Sequence, residues 1–405
     1  MTDNFSHYLS YGSTDQTTAR RVAASYDGLL VPGTIAAFQR AGTGGFVLTL
    51  SATKNSPRYM IDPRFPLFQQ RLSTPKRSHE ALAEIFGSPE LVRDRDPLPT
   101  DFTPELIERV ARGWVAFNSG YTSESRKSFD KYARRLGEAI EPVNQQGPSA
   151  ILPPYLIARA GSSEWWRISK DLFDMTEMAS STAAVRVVAA ESTSLLAGCL
   201  EDVPRDTQVA IWVSGLNELT SPEEDLYNYG AAIAGASLRK QSTFALYGGF
   251  LSVLLHSVGL GGSSHGIGYG ESRSWVELPQ SGPPPARYYL PRVHRYVGQD
   301  LAYQLWARNR ALAECSCVVC NGGSPLGLEY QELMEHSVLC RAREISEWAP
   351  LEAGAVSERL ELEHKSFADG LIDLIMPPGL QTQAQRLVAH LPPWIRVMDR
   401  LSRLP

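Results

Sequence analysis

AAVRVVAAESTSLLAGCLEDVPRDTQVAIWVSGL, residues 183–216, carries the pattern from which the architecture follows. Its two ends, AAVRVVAAE (183–191) and TQVAIWVSGL (207–216), are apolar and β-branched. That is the composition of parallel strands buried on both faces. Between them ESTSLLAGCLEDV reads as a helix. Strand, helix, strand at this spacing is the repeating unit of an α/β protein with a parallel sheet.

The same alternation extends in both directions. GLLVPGTI (28–35), GFVLTLSA (45–52), RYMIDPRFPLFQ (58–69), AILPPYLIA (150–158) and STFALYGGF (242–250) read as strands, the third running into a proline-rich turn. Residues 77–140 read as helical, with Thr103 as N-cap, Pro104 at the first helical position and ESRKSFDKYARRLGEA as a charged, exposed helix. SSEWWRISKDLFDMTEMA follows as a helix, in which Trp165 and Trp166 are core residues. Ser221-Pro222-Glu223-Glu224 has the form of a capping box opening a further helix. Residues 299–314, 327–347, 356–376 and 381–403 read as mostly helical.

About eight strand candidates suit a closed barrel. No GxGxxG follows the first strand and no GxxxxGK[ST] occurs, which gives a nucleotide-binding doubly wound sheet little support. The expected fold is therefore a (β/α)8 TIM barrel with helical insertions. It spans residues 1–350, and 351–405 form a C-terminal helical extension packed on the barrel.

The chain has 405 residues, 43% of them apolar and 20% charged, ordinary values for a soluble globular protein. The net charge of −5 does not advertise nucleic-acid binding, although a local basic face is compatible with it. The start, MTDNFSHYLSYGSTDQ, has neither a basic nor an apolar leader region, and no window is apolar enough to span a bilayer. A cytoplasmic location is expected.

Four of the five cysteines bunch late in the chain. Cys315, Cys317 and Cys320 form C-x-C-x2-C, and His336 and Cys340 follow four apart on one face of a predicted helix. Thiolates at this spacing suit structural Zn2+, which takes four ligands. The fourth ligand is open between His336 and Cys340. Free packed cysteines and an iron–sulfur cluster are the alternatives. Zinc here would staple a subdomain, residues 313–347.

The loop GLGGSSHGIGYGESRSW (259–275) offers the richest candidate active site. Its glycines allow close backbone approach, while His265, Tyr269, Glu271, Arg273 and Trp275 supply a base, a carboxylate, a cation and stacking surfaces. RYYLPRVHRY (287–296) mixes arginines and tyrosines, as a phosphate-contacting or an ordinary amphipathic surface would.

The C-x-C-x2-C motif followed by a histidine on a helix, late in an α/β chain, resembles the zinc site of the tRNA-guanine transglycosylases. These are the queuine and archaeosine tRNA-ribosyltransferases and their DNA-modifying relatives. The resemblance covers roughly residues 25–350 in layout and is specific at the zinc motif. It favours His336 as fourth ligand. YMIDPRFPLFQ resembles the family's base-contacting aspartate segment, which makes Asp62 the matching carboxylate. IWVSGL resembles the strand ending in a base-reading polar residue and glycine, matching Ser214 and Gly215. ALYGGFLSVLLHSVGLGGSSHGIGYGESR resembles the segment leading to the nucleophilic aspartate. At that place the chain reads Gly261-Gly262-Ser263-Ser264-His265, and the nearest carboxylate is Glu271.

The resemblance implies nucleobase exchange on guanine in tRNA or DNA, with insertion of a 7-deazaguanine. Asp62 and Glu271 are the expected catalytic pair. Ser214, Gly215, Gly248, Gly249, His265, Gly268, Tyr269 and Arg273 are the expected substrate-binding residues. Two other functions fit the same residues: a catalytically inactive accessory or nucleic-acid-binding subunit, homodimeric or paired with a paralogue, and a zinc-stapled barrel that hydrolyses an N-glycosidic bond.

Overall fold

The computed structural model describes residues 4–51, 56–122, 129–131, 134, 147–268, 271–275, 287–372 and 374–404. Seven strands form one all-parallel sheet: β1 (Ser6–Ser10), β2 (Gly28–Pro32), β3 (Arg58–Asp62), β4 (Arg186–Ala190), β5 (Gln208–Val213), β6 (Ser242–Gly248) and β7 (Leu260–Gly266). Their order across the sheet is β3-β2-β1-β7-β6-β5-β4. The sheet curls into a half-barrel with helices around it. Its inner side holds Tyr8, Leu30, Met60, Ala189, Trp212 and Leu246, which form one apolar cluster. An antiparallel hairpin, β8 (Arg287–Leu290) and β9 (Arg295–Gly298), lies outside this sheet.

The segment 149–158 lies between the two edge strands. The Ser149 N–H donates to the Tyr59 carbonyl on β3, while Ile151 and Ala158 bridge to Ala184 and Ala190 on the β4 side. Pro153 and Pro154 have no N–H to give. Side chains substitute for part of the missing ladder: Gln69 bonds both the N–H and the carbonyl of Ile157, at 2.8 and 2.9 Å. The Trp114 indole donates to the Leu152 carbonyl at 2.7 Å.

β4, β5 and the helix Thr193–Glu201 between them fall where the sequence places them, with Ser192 capping the helix through the Leu195 N–H. Thr103 likewise caps Pro104–Gly120 through the Leu106 N–H. Trp165 and Trp166 are buried. Most of ESRKSFDKYARRLGEA lies outside the described residues.

Three expectations are corrected, and one strand appears that was not expected. GFVLTLSA is not a strand but part of the helix Arg40–Ser51, whose Phe46, Val47 and Leu50 enter the core. A short apolar run fits either element, and here burial of one helical face decides. SHYLS, too polar to suggest a strand, is β1 at the sheet centre, with Tyr8 turned inward and His7 buried on the outer side. The first part of the glycine-rich stretch 259–275 is not a loop but β7, paired on both edges. Glycine suits it because a side chain at Gly262 would come within 2.5 Å of the Ser6 carbonyl. The helix Glu223–Leu238 starts without the expected box, because the Ser221 hydroxyl accepts the Asn217 N–H instead.

The C-terminal part is helical, with Tyr330–Trp348, Ala353–Ile372, Pro378–Arg386 and Leu391–Leu401 as its principal elements. Leu391–Leu401 packs against Glu223–Leu238, and its Trp394 indole donates to the Glu218 carbonyl at 2.7 Å.

Candidate functional site

The cysteine loop folds back on the helix Tyr330–Trp348. The Gly322 N–H donates to the Cys315 carbonyl at 2.9 Å, and Gly322 has φ +71°, a conformation glycine takes at no steric cost. The Cys317 N–H points at Cys315 Sγ and the Cys320 N–H at Cys317 Sγ, each at 3.4 Å. These contacts hold three sulfurs on one side of a tight turn.

From the helix, His336 presents Nδ1 to the sulfurs, 3.5 Å from Cys317, 3.2 Å from Cys320 and 3.4 Å from Cys340. His336 Nε2 lies 2.6 Å from the Tyr289 carbonyl. An N–H donated there leaves Nδ1 as a ligand lone pair, the usual outer-shell arrangement of a metal-binding histidine. The Tyr288 ring stacks on the imidazole at 4.3 Å.

The ligand atoms of Cys315, Cys317, Cys320 and His336 all lie within 4.8 Å of one another, so the group can hold a metal ion. Cys340 is a fifth donor, its sulfur 3.6 Å from that of Cys315. A tetrahedral ion with bonds of about 2.0–2.3 Å spaces its ligand atoms roughly 3.3–3.8 Å apart, and the distances from His336 Nδ1 to Cys317 and Cys320, 3.5 and 3.2 Å, lie close to that spacing.

At the ends of β5, β6 and β7 a second cluster forms. Five residues past β5, Glu218 Oε1 accepts the Gly249 N–H at 2.7 Å and the Ser252 hydroxyl at 2.6 Å. Its Oε2 is buried and has no hydrogen-bond partner among the described residues. Past β7, Glu271 Oε1 accepts from Arg341 at 2.8 Å. A side chain at Gly249 would begin 2.7 Å from Glu218 Oε2 and 3.2 Å from Glu271 Oε2, so the two carboxylates meet over this glycine. Burial pushes Glu271 up to about 7; the Arg341 charge opposes this and Glu218 reinforces it. Burial also raises Glu218, against its hydrogen bonds from Ser252 and Gly249. Two carboxyls displaced upward in one place are a usual mark of acid–base chemistry.

The space beside them is lined by Trp212, Leu216, Tyr229, Tyr247, Gly248 and Arg273 as well as the two glutamates. Its volume of 20 Å³ is room for one water.

Several expected site residues are placed otherwise. Asp62 is fully buried at the end of β3 and saturated. It accepts the Tyr155 hydroxyl at 2.9 Å, the Arg64 N–H at 3.0 Å and the Tyr247 hydroxyl, with the Arg64 guanidinium 3.9 Å away. Tyr247 lines the cavity, whereas Asp62 does not. The carboxylate that the structure brings beside Glu271 is that of Glu218.

Ser214 and Gly215 fasten the segment after β7. Ser214 Oγ accepts the Trp275 N–H at 3.1 Å, and the Gly215 N–H donates to the Arg273 carbonyl at 3.1 Å. Gly248 and Arg273 do line the cavity, the latter with its guanidinium over the Tyr247 ring at 4.9 Å. His265 packs against the rings of His7 and Phe5 on the outer side of the sheet. Burial holds it well below the usual imidazole range, and the Arg341 charge adds to this. Gly268 packs on Met334, leaving no room for a side chain. Tyr269 lies outside the described residues. RYYLPRVHRY is the β8–β9 hairpin, with Tyr288, Tyr289 and His294 buried, so those three do not offer a surface.

Sequence reasoning passed over Glu218 and Arg341. Glu218 had a signal, a carboxylate just past a buried strand in SGLNEL. Arg341 had none, because only the tertiary fold brings its helix to the strand ends.

Comparison with protein-family models and with curated proteins finds no match for this chain.

Proposed function

We propose that this protein exchanges a nucleobase at a glycosidic carbon, on guanine in tRNA or DNA, with Glu218 and Glu271 as its working pair. The observation that carries the reading is their meeting over Gly249. Glu218 is suited to the nucleophile: Gly249 and Ser252 fix one oxygen, and the other has no hydrogen-bond partner among the described residues. Glu271, raised to about 7, suits the acid and base.

In the first step Glu218 Oε2 bonds to the glycosidic carbon. The carbon–nitrogen bond breaks, its electron pair goes to the departing base, and Glu271 protonates that base. In the second, Glu271 takes a proton from the incoming 7-deazaguanine, whose nitrogen displaces Glu218 from the carbon. Room for one water means that the base enters only when the segment 272–275 leaves its bonds to Ser214 and Gly215.

In this reading the segment 149–158 is the eighth stave of a (β/α)8 barrel, and the carboxylates sit where such barrels place their chemistry. Zinc is the metal of the cysteine centre, held by Cys315, Cys317, Cys320 and His336. Four protein ligands close its coordination, so it staples and does not catalyse. The protein acts in the cytoplasm.

Hydrolysis of an N-glycosidic bond is the second reading, favoured by the room for a single water beside the pair. The test is incubation with tRNA or duplex DNA and labelled guanine. Incorporation that vanishes in Glu218→Gln and Glu271→Gln, with the fold intact by circular dichroism, supports exchange. Released base without incorporation establishes the hydrolase instead. Nucleic-acid binding with neither outcome leaves an accessory subunit.

A further inference from the structure

Behind the carboxylate pair runs a line of buried charge that the proposed chemistry does not use. Arg341, 3% exposed, lies 2.8 Å from Glu271 and 3.2 Å from Glu344. Its guanidinium sits over the rings of Tyr289 and Phe250, at 5.1 and 5.6 Å. Glu344 is held in turn by the Tyr289 hydroxyl at 2.9 and 2.8 Å and by His294 at 2.6 Å. The other nitrogen of His294 meets Glu363 at 2.7 Å.

Arg341 and Glu344 stand on the helix that also carries His336 and Cys340. Tyr289 joins the two ends of this arrangement: its carbonyl faces His336 Nε2 and its hydroxyl binds Glu344. We infer that Arg341 is the positioning residue of the Glu218–Glu271 pair, and that the metal centre sets its placement through their shared helix and Tyr289. The inference rests on the reading of that pair as the working site.

The physical case is that a buried guanidinium keeps its place only where its partners are fixed. Glu271 is one partner, and the others belong to the helix and hairpin that the metal centre joins. Around Glu271 the charged and titratable neighbours among the described residues are Arg341 and Glu344 from the helix, Glu218 from the loop after β5, Tyr289 and Tyr296 from the hairpin, and Arg273, Tyr229 and Tyr247, which line the same cavity. Arg341 is the cation paired directly with the carboxylate, at 2.8 Å. If the helix shifts, the set loses the charge that favours ionised Glu271.

The test follows the Glu271 carboxyl by carbon-13 NMR in zinc-loaded protein, with its resonance assigned by loss in Glu271→Gln. Arg341→Met is expected to raise the pH of its titration by about one unit or more, and Arg341→Lys to restore most of the change. Both variants are expected to keep stoichiometric zinc. Stripping zinc from the wild-type protein with a chelator is expected to move the titration in the same direction. A Glu271 titration that ignores Arg341→Met, or that ignores zinc removal, overturns the inference. If Arg341→Met does not fold, the chelation arm alone decides. Because the readout is a titration, absence of base exchange overturns the proposed function without touching this result.

Discussion

Glu218 accepts the backbone N–H of Gly249 at 2.7 Å on one oxygen, and its other oxygen lies only 2.7 Å from where a side chain at that glycine would begin. The site therefore has no space for even a methyl group. Gly249→Ala is expected to fold at a cost of about 1–3 kcal/mol from overpacking. Displacing the carboxylates by roughly 1 Å is expected to lower turnover by about 10²-fold. Denaturation and exchange assays on the same preparation check both effects.

Glu271 gives the fold a distinctive pH dependence. Its carboxyl rises from about 4.5 to about 7 on folding, so the folded state holds that proton more tightly than the unfolded chain. The stability it contributes is complete below about pH 4.5 and is lost as the pH rises through 7. The loss is expected to approach about 3 kcal/mol, and Glu218, shifted the same way, adds to it. Urea midpoints across this range should fall more steeply for wild type than for Glu271→Gln. An equal slope in both would show that the group is not buried as described.

The Asp62 network is expected to act in stability. Asp62→Asn leaves the buried Arg64 without its counter-charge, and is expected to cost about 3–5 kcal/mol. Tyr155→Phe removes one hydrogen bond to that carboxylate and is expected to cost about 1.5–3 kcal/mol. Chemical denaturation reads both. An Asp62→Asn protein of unchanged stability that has lost all exchange would place Asp62 in the chemistry after all.

At the metal centre, Cys320→Ala and His336→Ala are each expected to release zinc and to lower the melting temperature. Cys340→Ala is expected to keep the ion, with affinity reduced by at most about 10–100-fold, the scale of an outer-shell change. Metal analysis after dialysis distinguishes them. Retention in His336→Ala with loss in Cys340→Ala would make the site all-thiolate.

Much of this was readable in the residues themselves. Apolar β-branched runs marked β4 and β5, and C-x-C-x2-C with His336 marked the metal group, because both patterns are local. β1 was hidden because His7 and Ser10 are polar yet buried at the sheet centre. β7 was hidden because glycines, which ordinarily mark loops, are there to let neighbouring backbones approach. The candidate site was half legible. Glu271 stood out beside its glycines, and Asp62 stood out too, while Glu218, which lies beside Glu271, went unremarked. Nothing local distinguishes a carboxylate saturated by two tyrosines from one that lines a cavity. Arg341 lies seventy residues from Glu271, and no periodicity records that meeting.

The segment 149–158 is tied to the sheet edges by backbone bonds at Ser149, Ile151 and Ala158, while at Ile157 a side chain takes over, with Gln69 closing both bonds. Ladder bonds survive most substitutions, whereas this stitch depends on a single amide. Gln69→Leu would cut both threads at once, and amide exchange should then quicken at Ile157 while β4 to β7 stay protected. The first place to look for breathing motion is therefore the segment between the two edges of the curled sheet.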